Sequence, residues 1–312
     1  MKLFSVAPRE IFLATDWIRG CIISGENIRV GGLFVHQYNS VFCLCLIVMD
    51  TLHLHPSASS GSSAALEKRL QEFINSASKP LVVLVGPTAS GKTALSIEMA
   101  AWIDGEIVNG DSRQLYRYLD IGTAKITPSE MQGVPHHLLD ILDPREEATA
   151  FGYQQEALAA IDTIHARKKV PMIVGGSMLY ISAVIDDLEF PTEKDERQSL
   201  QARKSLKPKE NVLILGIERP RAELMKRIND RTAELCEKGW VAEVDSLMKR
   251  GYTAHDPGMK SHGYREIIAW LESGTPPIKE LQETISSKTR AYAKRQMTWW
   301  KNDPRIEWIT LN

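Results

Sequence analysis

The stretch Leu81-Val-Val-Leu-Val-Gly86-Pro-Thr-Ala-Ser-Gly91-Lys92-Thr93 decides the fold. Its first five residues are apolar and mostly β-branched, as in a strand buried on both faces, and residues 94–102 continue with a helical pattern. Between them Gly86, Pro87, Thr88, Ala89, Ser90, Gly91, Lys92 and Thr93 satisfy G-x-x-x-x-G-K-[ST] in full. Strand, loop and helix in that order make a phosphate-binding loop. Backbone N–H groups turn inward around an anion, Lys92 adds a point charge, and the Thr93 hydroxyl can hold Mg²⁺ at the helix N-terminus. The loop predicts a bound polyphosphate without specifying which.

Downstream, strand and helix alternate, which predicts an α/β fold: a P-loop-type parallel sheet flanked by helices, with a helical C-terminal part. A second short strand, residues 106–109, ends at Gly110-Asp111-Ser112-Arg113-Gln114-Leu115-Tyr116. Open α/β sheets bind ligands at the carboxyl ends of their strands, so Asp111 should sit beside the anion. A carboxylate there is repelled unless it binds metal or accepts a proton; its plainer role would be to cap a following helix. A strand at 170–174 runs into Gly175-Gly176-Ser177 and a helix at 178–185, and it ends without the acid of a Walker B motif.

Residues 211–217 form one more buried strand, after which the chain turns helical. On the helix at 221–236, Arg227 and Arg231 stand four apart, so their guanidinium groups share a face, either solvated or aimed at an anion. Over 286–301, Arg290, Lys294 and Lys301 fall on one stripe with Tyr292 and Trp299 opposite. Residues 288–305 carry six basic side chains, Arg295 among them, against one acid. That density suits RNA phosphates, or an ordinary amphipathic surface helix.

The 312 residues are 43% hydrophobic and 25% charged, a composition that supports a globular core, and the net charge of −1 excludes a global nucleic-acid signature. Cys21, Cys43, Cys45 and Cys236 contain no C-x-x-C pair, which argues against a zinc site or a disulfide framework and fits a reducing cytoplasm. Residues 1–78 differ in character, with no clear period and a Ser/Ala-rich run at 56–65 that reads as a linker. The apolar run at 41–49 is too short to cross a bilayer. It reads as a buried strand or as sequence upstream of a start at Met49, and residues 64–73 make a short amphipathic helix. The expected division therefore falls near Ser78, with the transferase domain at 79–312.

Taken together, the motifs resemble one family. They are the loop at 86–93, Asp111-Ser-Arg-Gln-Leu-Tyr116, Asp120-Ile-Gly-Thr-Ala-Lys125, Pro135-His-His-Leu-Leu-Asp140, Gly175-Gly-Ser-Met-Leu-Tyr180, Gly263-Tyr-Arg265 and Thr289-Arg-Ala-Tyr-Ala-Lys-Arg-Gln-Met-Thr-Trp299. In order and spacing they are similar to those of the bacterial-type tRNA dimethylallyltransferases. The resemblance implies transfer of a dimethylallyl group from its diphosphate to N6 of the adenine just 3′ of a tRNA anticodon. It implies Asp111 as the base, with Lys92, Thr93, Arg231 and Mg²⁺ on the leaving pyrophosphate. Asp111, Ser112, Arg113, Gln114 and Ser177 would line the channel for the adenine, and Arg290, Lys294 and Arg295 would meet tRNA. Family members carry a helical insert that grips the anticodon stem, where this chain has only residues 191–209. A cytoplasmic monomer is expected. A small-molecule kinase using the loop for ATP, or an impaired RNA-binding relative, are the competing readings.

Overall fold

The computed structural model describes residues 22–24, 27–30, 33–36, 60–190 and 211–311. The chain divides into two units, Met1–Ser57 and Ala58–Asn312. In the first, β1 (Ile22–Ser24), β2 (Asn27–Val30) and β3 (Leu33–His36) form an antiparallel sheet in that order. The strand expected at 41–49 and the shortened insert at 191–209 lie outside the described residues.

The second unit begins with α1 (Ser60–Ser76). It continues through β4 (Leu81–Val85), α2 (Lys92–Ile103), β5 (Gly105–Gly110), β6 (His136–His137), α3 (Ala150–Ala166), β7 (Val170–Gly175) and α4 (Met178–Ile185). It closes with β8 (Val212–Glu218), α5 (Arg221–Glu237), α6 (Trp240–Lys249), α7 (Tyr264–Ser273), α8 (Ile278–Lys301) and β9 (Ile306–Thr310). The six strands form one parallel sheet in the order β6-β5-β7-β4-β8-β9.

Alternation along β4 splits its side chains between two cores, as the two-residue period requires. Leu81, Val83 and Val85 pack on one face with Tyr153 and Ile161 of α3, Ile181 of α4 and Trp300 of α8. Val82 and Leu84 pack on the other with Met99 of α2 and with Leu70 and Phe73 of α1. The sheet is therefore covered on both sides, which is why β4 reads as an unbroken apolar run. The chain runs from β4 to β5 and β7 on one side and then crosses to β8 on the other, so the Gly86–Thr93 loop stands at the switch point where such sheets bind ligands.

The contact units divide at Ser57, where the sequence suggests a division near Ser78. Leu66, Leu70, Phe73 and Ile74 recur at helical spacing, Leu70 is fully buried, and Arg69 makes a two-pronged ion pair with Glu307 of β9. Burial of Leu70 and Phe73 contributes on the order of 1.5–3 kcal/mol each. That tertiary gain carries the helix back to Ser60, through half of the run read as a linker.

Candidate active site

The loop between β4 and α2 is ringed by cations that hold its carbonyl oxygens. Lys92 Nζ donates to the carbonyls of Gly86 (2.9 Å) and Pro87 (2.8 Å), Arg227 Nε to Ala89 (2.9 Å), and Arg219 Nε to Ser90 (2.7 Å). Ala89 sits at φ 62°, a left-handed conformation costing a non-glycine residue about 1–2 kcal/mol, and Gly91 at φ 102° has no such cost. The Ser90 hydroxyl is fully buried and has no hydrogen-bond partner among the described residues. An orphan donor inside a ring of positive charge is what an anion in this loop would satisfy.

Arg231, on α5, faces the same cavity, of about 640 Å³, as Arg227, the loop and Asp111. Burial lowers the Arg231 pKa, opposed chiefly by Asp111, and Arg231 makes no hydrogen bond among the described residues. Burial likewise pushes the Lys92 ammonium down to about 8, with Asp111 opposing and Arg231 adding to the shift. Two desolvated cations beside one carboxylate leave a net positive hole, suited to a polyphosphate.

Asp111 follows β5, held by a buried neighbour. Asn109 accepts the Asp111 N–H at 3.0 Å and donates to the carbonyls of Asp111 and Leu138. The Asp111 carboxylate accepts the Arg113 N–H at 2.9 Å, closing a local turn, and no helix follows for it to cap. Across the cleft, Gly110 and Gly175 are register partners so close that a Cβ on Gly175 would lie 2.1 Å from the Gly110 backbone. This contact sets Ser177 beside Ser112, whose N–H it accepts at 2.8 Å. The Tyr292 hydroxyl of α8 donates to the Gly176 carbonyl at 3.5 Å, and burial pushes its phenol up to about 12, Asp111 adding to the effect.

The floor of the cavity is the segment at 120–125. Gln114 donates to the carbonyls of Thr123 and Ala124, and Lys125 to the Tyr116 carbonyl, Asp120 and Asp140. Glu243 of α6 accepts the N–H groups of Asp120 (2.9 Å), Ile121 (2.6 Å) and Gly122 (3.2 Å) and the Tyr264 hydroxyl (2.6 Å). Trp240 wedges between Gly122 and Gly263, where a Cβ on either would lie 2.0 Å from its ring. These contacts give the Asp120–Lys125 and Gly263–Arg265 motifs their physical sense.

The structure thus brings Gly86 to Thr93, Asp111, Ser112, Gln114, Ser177 and Arg231 together, with Arg113 exposed at the rim. The basic patch is narrower than its composition. Arg305 is buried between Asp186 and Asp303, Lys288 pairs with Glu266, Lys301 with Glu218, and Arg290 with Glu283 and Asn229. Lys294 and Arg295 remain exposed on α8. Residues that local pattern missed are Gln296, bridging two loops from α8, and Arg219 and Glu243. Arg219 directly follows a strand next to β4, a position that could have flagged it.

Thr93 is exposed at the N-terminus of α2, and the described residues hold no cluster of three metal-ligating side chains. Such a site fits Mg²⁺, which binds through few protein ligands together with substrate phosphates and water, and not a metal needing a protein cage.

A family model described as IPP transferase matches residues 114–209 and 197–303. A tRNA dimethylallyltransferase of Carboxydothermus hydrogenoformans is 37% identical over 288 positions that span 74% of this chain and 92% of that protein. Since 74% of the chain is about 231 residues, some 57 of those positions, roughly, have no counterpart here. Among solved structures, the tRNA isopentenylpyrophosphate transferase of Bacillus halodurans superposes with TM-score 0.65 at 32% identity, covering 75% of this chain and 90% of that one. The transferase of Staphylococcus epidermidis gives 0.66 at 31%, covering 74% and 93%. With the phosphate loop, Asp111 and the cation ring in place, the chain belongs to the tRNA dimethylallyltransferase family of transferase enzymes.

Proposed function

We propose that this chain transfers a dimethylallyl group from dimethylallyl diphosphate to N6 of the adenosine 3′-adjacent to the anticodon of a tRNA, releasing pyrophosphate. The observation that carries it is the shared cavity, in which a cationic phosphate loop, Arg231 and Asp111 face one another. The diphosphate occupies the loop. As the carbon–oxygen bond to the diphosphate breaks and the N6–carbon bond forms, the N6 proton passes to the Asp111 carboxylate. Adenine N6 is a feeble nucleophile because its lone pair is delocalised, so proton removal during bond formation matters. Negative charge gathering on pyrophosphate is met by Lys92, Arg231, the loop N–H groups and the Ser90 hydroxyl. Mg²⁺, held by Thr93 and the diphosphate itself, would neutralise further charge on the leaving group.

The adenine must leave its stack to reach this depth. Ser112, Arg113, Gln114 and Ser177 line its approach, while Lys294 and Arg295 meet backbone phosphates, with Arg290 held in reserve by Glu283. The shortened insert at 191–209 leaves the stem less tightly gripped than in relatives. Its support is the number of relative positions with no counterpart and the overlap of the two family-model segments at 197–209. No described helix is long and apolar enough to cross a membrane, and we place the reaction in the cytoplasm, on a monomer, because every group invoked comes from one chain.

Unmodified tRNA with labelled dimethylallyl diphosphate, set against labelled ATP, tests the reading. Label from the diphosphate should appear on the RNA, and label from ATP should not be transferred. Phosphoryl transfer from ATP with no prenylated RNA would overturn it.

A further inference from the structure

A second group of side chains stands beside the cavity and plays no part in the chemistry above. The Arg145 guanidinium lies 4.3 Å from the Tyr252 ring centroid, the Tyr252 and Tyr118 rings are 6.4 Å apart, and the Arg250 guanidinium lies 5.1 Å from the Tyr118 ring. The result is a four-membered Arg-Tyr-Tyr-Arg ladder. Both arginines are exposed and make no ion pair among the described residues, and Tyr118 is 43% exposed, rare for a large aromatic here. Tyr118 is also held at φ 68°, in the left-handed region that a tyrosine adopts at a cost.

The acids nearby are already engaged. Asp143 accepts the Tyr252 hydroxyl at 2.8 Å and the Arg145 N–H, and Arg117 lies between Asp143 and Glu146. Asp245 pairs with Lys249. Arg145 spends one donor on the Gly251 carbonyl at 3.3 Å, which fixes its plane on Tyr252, and with no acid claiming either guanidinium the remaining donors of Arg145 and those of Arg250 act outward.

Placement points to the occupant. Tyr118 lies seven residues beyond Asp111 on the segment leaving β5, and Arg145 follows β6, so both emerge from the carboxyl end of the sheet, where the phosphate loop stands. At the channel rim, Arg113 reaches the Pro257 carbonyl of the loop that also carries Tyr252. Seven residues span at most ~25 Å, a few nucleotides of RNA. Aromatic rings flanked by planar cations are how proteins hold unpaired nucleotides, through stacking and phosphate contact together.

We propose that this ladder docks the single-stranded nucleotides that flank the adenosine entering the cavity. The inference rests on the proposed tRNA substrate and adds a subsite outside the catalytic groups.

The test compares full-length wild type with Arg145→Ala/Arg250→Ala and with Tyr118→Leu, using unmodified anticodon stem-loop RNA. Equilibrium binding across a salt series is measured beside steady-state transfer from labelled dimethylallyl diphosphate. The double variant should raise Kd and KM for RNA about tenfold and flatten the salt slope by roughly 1.4, the loss of two single-strand phosphate contacts. Its kcat and its KM for the diphosphate should stay within about twofold of wild type. Tyr118→Leu should raise the RNA Kd about fivefold with the salt slope unchanged, since stacking is lost and charge kept. RNA binding within about twofold of wild type in both variants, or a loss confined to kcat, overturns the subsite. Wild type that binds RNA but transfers nothing refutes the activity while the binding series still decides the subsite. Wild type that binds no RNA overturns both.

Discussion

Gln296 and Thr88, 208 residues apart, share a hydrogen bond at the mouth of the cavity: the buried amide oxygen of Gln296 accepts the Thr88 N–H at 2.9 Å. Its amide nitrogen donates to the Gly176 carbonyl at 2.8 Å. One side chain on α8 thereby ties the phosphate loop to the Gly175-Gly176-Ser177 turn. Gln296→Met keeps the length and loses both bonds, leaving the Thr88 N–H without its acceptor and the Gly176 carbonyl with only the long bond from Tyr292. Stability should fall by about 2 kcal/mol, read from urea unfolding, and KM for the diphosphate should rise more than KM for RNA. An equal rise in both would make the bridge a fold element alone.

Lys92 couples binding to pH. Its folded pKa of about 8 lies below the ordinary lysine value, because burial disfavours the charge, with Asp111 opposing and Arg231 adding. A diphosphate restores the charged form, so binding at pH 8.5 should take up most of a proton, measured by calorimetry in buffers of different ionisation enthalpy. Diphosphate affinity should fall as pH rises above about 8. In the ligand-free protein the sign reverses. Between pH 8 and about 10.5 the unfolded chain binds more protons than the folded one, so this group's contribution to stability rises with pH across that window. Lys92→Ala should abolish both effects and slow transfer by roughly 10²–10³-fold, the worth of one preorganised charge.

Asp111→Asn separates proton acceptance from shape. Asparagine can still accept the Arg113 N–H, so stability should fall by well under about 1 kcal/mol. It cannot take the N6 proton. Single-turnover transfer at saturating RNA and diphosphate should drop roughly 10²- to 10⁴-fold with both substrates still bound. A loss below about fivefold would remove Asp111 from that role.

A chain beginning at Ala58 should keep the stability and activity of the second unit. One beginning at Lys79 loses α1, uncovers the Leu84 and Met99 face and breaks the Arg69–Glu307 pair. Thermal unfolding should place the shorter chain several degrees below the longer one, and Leu70→Ala should account for about 2–5 kcal/mol of the difference. Equal melting temperatures would show α1 to be dispensable.

What was legible in the sequence was local. The strand bounded by apolar β-branched residues, the glycine-rich loop and the helix starting at Lys92 follow from period and composition within a dozen residues. Asp111 follows from the rule that strand ends in this topology face the ligand, whereas Ser177 enters only through the family resemblance. The rest depends on contacts across the chain. Glu243 reads as one more acid on a helix until α6 lies under the Asp120–Ile121–Gly122 backbone, and Gln296 as one more polar residue on α8. Serines at 60–63 resemble a linker because their own preference is weak, and docking of Leu70 overrides it. Arg305 counted toward a surface patch, yet two aspartates hold it inside.

Because Gly110 and Gly175 meet backbone to backbone, the approach of the two strand ends that lead to Asp111 and Ser177 is set by main chain, and Asn109 and Gln296 only fasten the loops that follow. Alignment and robustness are therefore separable in this enzyme. Substitutions deep in either core can accumulate as losses of melting temperature while each folded molecule keeps its turnover. Gly175 is the reverse, a position where one added methyl would run into the Gly110 backbone and displace the strand ends that carry Asp111 and Ser177.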